Sequence, residues 1–250
     1  MRISLLLTCI SAVFSVSMTA QAPAAPQMAR LYAYEVPADT AAEFFDVQRD
    51  TAEIYKANKA PHPRLCWTSL TGPQMFYMWV PIKGLDTLMD KTWLSQQGEE
   101  LPRSARVSRL ARASGRSEIK ITASVPELTW NDSPNSSPDA YASVRVDHVR
   151  PGRVADYTAM MKDVVQTYKQ MGKAKRYITS RVSYGGNVYE FHNYVGYANL
   201  GDTSSTEEFR KAMGEAKYAA LIKKLGEVVD SSQRNLVRFR PEFSYVPEAK

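Results

Sequence analysis

Glu190 and His192 lie two residues apart in the stretch Val188-Tyr189-Glu190-Phe191-His192-Asn193-Tyr194-Val195. That stretch alternates as a half-buried strand does, so the acid and the imidazole share one face. A carboxylate beside an imidazole fixes the orientation of the ring, which a general base or a proton relay requires. The chemistry expected is proton transfer, with His192 as base and Glu190 as the group that orients it. The competing reading is structural, because buried charges must be paired or hydrated and an ion-pair network between packed layers meets that need equally well.

Other chemistries find little support. The three histidines, His62, His148 and His192, are scattered and the cysteines number two, so no spacing suits a metal and none is expected. Gly185-Gly186 fits a hairpin turn better than a phosphate loop, and no nucleophile elbow is present. Cys66 sits in the apolar Leu65-Cys66-Trp67 and reads as a buried, inert thiol. Arg103, Arg106, Arg109 and Arg112 recur every third residue. They read as the solvated side of an amphipathic helix or, functionally, as a docking face for an anionic envelope surface. The net charge of +6 allows attraction to anionic partners. Nucleic acid is not an expected partner, since the chain reads as exported.

Export is read from residues 1–22. Arg2 supplies a charged start, residues 3–16 a short apolar run, and Ala20-Gln21-Ala22 a small-x-small cleavage site. The run is too short, and too interrupted by Ser and Thr, to span a bilayer. The mature chain is therefore expected in the periplasm or outside the cell, without a transmembrane segment. Removing the leader removes Cys9 and leaves Cys66 without an intramolecular disulfide partner.

The elements that must position Glu190 and His192 follow a repeating order. After a Pro/Ala tether at 23–29, a strand is expected over 30–36, then a helix opened by the capping-box spacing of Thr40 and Glu43. Strands over 65–70 and 75–80 flank the turn Thr71-Gly72-Pro73-Gln74. A two-piece helical region over 85–114 and a strand over 119–125 complete the first unit, 30–130. Residues 131–139 are rich in turn formers and form a linker. The second unit, 140–250, repeats the order: a strand over 141–149, a helix face of Val154, Tyr157, Met161, Val164 and Tyr168, and strands over 178–183 and 188–195. A helical region capped by Ser205 and Glu208 and a strand over 236–240 follow. Val36/Val149, Asp50/Asp163, Tyr55/Tyr168, Lys56/Lys169 and Gly72/Gly185 share one offset of 113 residues, and residues 125–130 match 240–245 at 115. Turns, helix faces and a Pro-Glu-apolar-hydroxyl-aromatic exit all fall in register.

Each unit is thus β-α-β-β-α-β, a ferredoxin-like α+β arrangement that leaves one sheet face uncovered. The two sheets are expected to pack face to face. On this element order and duplication the chain resembles the dimeric α/β-barrel superfamily, in the form with both halves on one chain. That superfamily includes antibiotic-biosynthesis-type monooxygenases, EthD-like proteins, stress-responsive α/β-barrel proteins and NIPSNAP proteins. The resemblance implies a pocket between the sheets. It carries over no family active site, because no family motif matches residue by residue. Some relatives bind haem, but no axial ligand is singled out here. No cofactor is expected, with haem as the lesser alternative.

Polarity assigns Ala142, Val144, Val146, Val237 and Phe239 to the helix side. It turns Arg145, Asp147, Arg181, Arg238, Arg240, Glu190 and His192 toward the partner sheet. The counterparts in the first unit are Tyr32, Tyr34, Tyr77 and Trp79. The expected site is therefore catalytic His192 and Glu190, with Arg145, Asp147, Arg181, Tyr32, Tyr34, Tyr77 and Trp79 binding a ligand. Two functions stay open. One is an exported enzyme that holds a small organic compound and acts by proton transfer or cofactor-independent oxidation. The other is a non-catalytic envelope protein. A homo-oligomer is compatible with either.

Overall fold

The computed structural model describes residues 27–85, 103–131 and 138–247. The leader at 1–22, most of the tether, the first piece of the 85–114 helical region and the centre of the linker lie outside the described residues. The first half runs β1 (Met28–Glu35), α1 (Ala41–Ala57), β2 (Leu65–Ser69), β3 (Met75–Ile82), α2 (Arg103–Ala113) and β4 (Ser117–Ser124). The second runs β5 (Tyr141–Val149), α3 (Val154–Met171), β6 (Arg176–Tyr184), β7 (Glu190–Tyr197), α4 (Thr206–Met213), α5 (Glu215–Val228) and β8 (Val229–Phe239).

The strands hydrogen-bond in the order β1-β3-β2-β8-β5-β7-β6-β4 and close back on β1. Within that ring β4-β1-β3-β2 and β8-β5-β7-β6 have the same order, the ferredoxin-like one. Face-to-face packing alone would leave β2, β4, β6 and β8 as open edges. Instead β2 pairs with β8, as at Trp67↔Phe239, and β4 pairs with β6, as at Thr122↔Val182. One chain thereby forms an eight-stranded antiparallel barrel with no free edge.

The exits from β4 and β8 reinforce both seams. Pro126–Leu128 and Pro241–Phe243 each form a single 3₁₀ turn, as their shared sequence pattern leads one to expect. Leu128 buries in the core beneath α3, and Phe243 in the core beneath α1. Each half thus has its core completed by the tail of the other. The tails also bridge to second strands, Trp130 to Tyr177 and Tyr245 to Arg64. Arg64, fully buried, donates to the Phe243 carbonyl and to the Gln48 side chain.

The helices pack outside the barrel wall. Phe44 of α1 meets Tyr34 and Phe76 at ring separations of 5.6 and 5.2 Å. Tyr157, Met161 and Val164 of α3 cover Tyr177, Phe191 and Val195. Ser205 and Glu208 form the capping box their spacing predicts. Thr40 does not cap its own helix; its hydroxyl donates to the Ala113 carbonyl at 2.8 Å and ties the start of α1 to the end of α2. The arginine run of α2 is divided, with Arg112 exposed as on a solvated face and Arg109 turned toward α1. Arg109 reaches Glu43 (3.6 Å) and Asp50 (3.5 Å), Arg112 reaches Glu43 (3.6 Å), and Arg106 is buried.

Seven residues expected between the sheets stand on the outer side of the wall instead. Tyr32 and Tyr34 belong to the core beneath α1. Asp147 is fully buried and accepts bonds from Arg145 Nε (2.9 Å), Tyr157 Oη (2.7 Å), Asn193 Nδ2 (3.0 Å) and Ser232 Oγ (2.6 Å). Arg181 donates through Nε to the Val188 carbonyl (2.6 Å) and lies over the Phe191 ring at 5.5 Å. Arg238 and Arg240 face outward too, Arg240 pairing with Glu242 at 2.5 Å. Conversely, Ala142, Val144, Val146, Val237 and Phe239 line the barrel. Directly opposed residues share a face, and these pair with Gly196, Tyr194, His192, Ala142 and Trp67 respectively. Polarity misassigns β5 because a hydrogen-bonded acid is tolerated under a helix.

Removing the carboxylate from this layer should therefore be severe. Asp147→Ala leaves the Arg145 charge buried without its partner and is expected to cost about 3–5 kcal/mol. Asp46→Ala, which breaks only the exposed Arg49 pair, should cost under about 1 kcal/mol. Urea unfolding of both variants, compared at equal m-value, checks the contrast.

Candidate functional site

Glu190 opens β7, and the strand's alternation carries it and His192 into the barrel, paired across β5 with His148 and Val146. The positions 113 residues earlier on β3 are Tyr77 and Trp79, which oppose Ala33 and Leu31 of β1 and also face the interior. Four of the nine expected site residues, Glu190, His192, Tyr77 and Trp79, therefore share the barrel interior. Tyr32, Tyr34, Arg145, Asp147 and Arg181 do not join them.

Glu190 is the hub of a charged cluster. Its Oε1 meets His192 Nε2 at 2.5 Å and Lys120 Nζ at 2.8 Å, and Lys120 also reaches Oε2 at 3.1 Å. Lys120 holds Glu118 at 3.0 Å, and His148 Nε2 stands 3.9 Å from Glu190 Oε2. Lys120 comes from β4 of the other half, delivered by the β4–β6 seam. Burial works to raise the Glu190 carboxyl, but the bonds from His192 and Lys120 overcome it and hold the group down at about 2. Burial works against the Lys120 charge, but its bonds to Glu190 and Glu118 prevail and push its ammonium above the ordinary lysine value. The Tyr77 phenol is raised by burial, with an Asn235 hydrogen bond opposing and the charges of Glu118 and Lys120 within range. That places Tyr77 beside the cluster.

An ionised Glu190 can only accept, so the 2.5 Å contact requires a proton on His192 Nε2. In the neutral ring Nδ1 is then the basic nitrogen. His192 and Lys120 keep 14% and 17% of their side chains exposed, against 4% for Glu190, so solvent reaches the base and its cationic neighbour rather than the carboxylate.

Toward the other end of β7 the interior is closed. Trp67 packs edge-on against Tyr194 (6.1 Å) and Phe239 (5.5 Å). The space a side chain would take at Gly196 is filled by the Asp139 carboxylate, whose Oδ2 would lie 1.8 Å from an added Cβ. Arg176 holds that carboxylate at 2.7 Å. The barrel thus has one polar, partly hydrated end and one packed aromatic end.

Lys120, Glu118 and His148 were not among the expected site residues. Lys120 alternates with Ile119 and Ile121, so Glu118, Lys120 and Thr122 share the face turned inward. Its partner lies 70 residues away on a strand that does not neighbour β4 within its own half. Two depressions among those on the described surface are lined without a histidine. One, of about 470 Å³, is lined by Met28, Leu85, Ala123, Ser183 and Tyr184, and the other, of about 350 Å³, involves Thr71, Arg234 and the start of α4.

Among the described residues no group of three or more His, Cys, Asp or Glu is placed to hold a metal, and no helix is long and apolar enough to cross a membrane. Haem does not fit the histidines as they stand. His192 Nε2 is committed to Glu190, His148 stands beside the same carboxylate, and His62 packs edge-on against Tyr55 at 6.1 Å. Cys66 is buried and its thiol is pushed up by that burial, in keeping with an inert side chain.

No family model matches the chain, and no curated protein matches it. Solved structures do. One described as "Putative monooxygenase" from Fusobacterium nucleatum aligns over 86% of this chain and 93% of its own, with a TM-score of 0.61 at 11% identity. An "anthrone oxidase-like protein" aligns over 89% and 94% (TM-score 0.55, 10% identity). A "Putative Chlorite dismutase" aligns over 88% and 96% (TM-score 0.53, 14% identity). At such identities the likeness is one of fold.

The low-lying Glu190 carboxyl makes stability depend on acid. Its folded value of about 2 lies below the ordinary 4.5, so its contribution is complete above about pH 4.5 and is lost as pH falls toward 2. The loss is expected on the order of 2–3 kcal/mol. Urea midpoints measured between pH 6 and 2 should fall less steeply for Glu190→Gln than for the parent chain; parallel curves would refute the assignment.

Proposed function

We propose that this dimeric α/β-barrel chain binds a small, weakly acidic organic molecule at the polar end of its barrel and removes a proton from it. The observation that carries the proposal is the Lys120–Glu190–His192 arrangement, in which one buried carboxylate fixes both a base and a cation. His192 Nδ1 accepts the proton, and Glu190 stabilises the imidazolium that forms. Lys120 favours the developing substrate anion. Tyr77 and Trp79 supply aromatic surface from the opposite half. Oxidation of that anion by dioxygen without a cofactor is the reaction class we favour. The shared fold of proteins described as a monooxygenase and as anthrone oxidase-like supports this by analogy. A second reading, a non-catalytic envelope protein, draws support from the Glu118–Lys120–Glu190 ion pairs, which already satisfy one another within the protein.

Oxygen uptake with small hydroquinones and 1,3-diketones decides between them. Activity is expected in the parent chain, with a loss of about 10²–10⁴-fold in kcat for His192→Ala. Unchanged turnover in that variant would remove His192 from the site, and a Soret band in the purified protein would favour haem chemistry instead.

Export belongs to the same proposal and is supported by the composition of residues 1–22. Intact mass of the protein recovered from the periplasm or medium of a bacterial host should correspond to a chain starting at Pro23; a full-length mass there would contradict it.

A further inference from the structure

Lys120 Nζ carries three N–H groups and has three carboxylate oxygens around it: Glu190 Oε1 at 2.8 Å, Glu190 Oε2 at 3.1 Å and Glu118 Oε2 at 3.0 Å. With those three oxygens in place, no N–H of this ammonium is left for a ligand. The two acids differ in how firmly they are held. The Glu190 side chain is 4% exposed and also bonded to His192, so it stays with the cluster. The Glu118 side chain is 35% exposed, and its other oxygen already has an alternative cation, Arg116, at 2.6 Å on the rim. Arg116 is 78% exposed, so the two can turn outward together with their own bond intact.

The wall beside this pair is built in rows. Glu118 lies next to Ala33 and then Tyr77, and Lys120 next to Leu31 and then Trp79, all on the interior face. None of these six residues is fully buried. The small Ala33 between a carboxylate and a phenol leaves an apolar floor with an aromatic side, and water reaches it. A Glu118 carboxylate turned outward would add its own volume to that space.

We propose that Glu118 occupies the oxyanion position of a ligand subsite on Lys120, and that a small organic acid displaces it. The ligand's anionic oxygen, from a carboxylate or an enolate, takes the place of Glu118 Oε2 beside the ammonium. Its apolar body lies over Ala33 and Leu31 toward Tyr77. The subsite needs no preformed cavity, because the ligand fills the volume that its internal competitor vacates. It rests on the polar end of the barrel being a ligand site, as proposed above, but not on proton transfer there.

Isothermal titration of the purified protein with benzoate, and separately with acetylacetone, tests this. One saturable site is expected for at least one of them. Tighter benzoate identifies a carboxylate as the ligand chemistry, and tighter acetylacetone an enolate. Glu118→Gln removes the competing charge and should tighten binding about two- to fivefold, the worth of a partly exposed ion pair. Glu127→Gln removes one charge from a surface pair with Lys162 and should change nothing. Lys120→Met should abolish binding, and Glu118→Gln decides the matter if that variant fails to fold. No saturable binding, equal binding by Glu118→Gln and the parent, or an equal gain in Glu127→Gln would each overturn the proposal. Oxygen uptake separates it from the proton-transfer reading. Tighter binding in Glu118→Gln without turnover sinks proton transfer and leaves the subsite, whereas turnover that depends on His192, with binding indifferent to Glu118, does the reverse.

Discussion

Backbone hydrogen bonding across two seams, β2 with β8 and β4 with β6, is the constraint on which the rest of this molecule depends. A four-stranded ferredoxin-like sheet has two edges of unpaired N–H and C=O groups and one uncovered face. Joining two such sheets edge to edge satisfies all four edges and turns both uncovered faces into one interior. The exchanged tails follow from the same geometry. Leu128 and Phe243 can fill the other half's core only because the strands that precede them already lie against that half. Arg64, buried beneath the Phe243 carbonyl, ties one of those tails to α1 through Gln48.

Closure also explains why the chain keeps two buried acids with different surroundings. Asp147 lies between wall and helix and accepts four hydrogen bonds from protein donors, three of them at Oδ2, which makes it a rivet between β5, β7, β8 and α3. Glu190 lies inside the wall, and its donors are two titratable or mobile groups, Lys120 and His192, both in partial contact with water. The first arrangement has no room for exchange. In the second, both donors can exchange protons with solvent.

The two halves divide the labour of that interior unequally. β3 offers Tyr77 and Trp79 where β7 offers Glu190 and His192. At the far end Trp67, Tyr194 and Phe239 pack the interior shut. The Glu190 cluster thereby stands at the opposite end, next to the strand through which the first half contributes Lys120.

Element order was readable from the residues because it depends on local chemistry. Turn formers at Gly72 and Gly185, the Ser205/Glu208 cap, the period-two runs of β5 and β7, and the matched exits after β4 and β8 all appear in the fold. The pairing of Glu190 with His192 was readable for the same reason, since two positions on one strand share a face whatever surrounds them. Which face that strand wall turns inward was not readable. In β5 the apolar residues line the barrel and the charged ones lie under a helix, because hydrogen bonds from Tyr157, Asn193 and Ser232 satisfy Asp147 there, and those partners come from other elements. Lys120 was hidden for another reason. Its partner lies on a strand brought near by a seam between the halves, and no local pattern in a sequence encodes which edges of two similar sheets will meet.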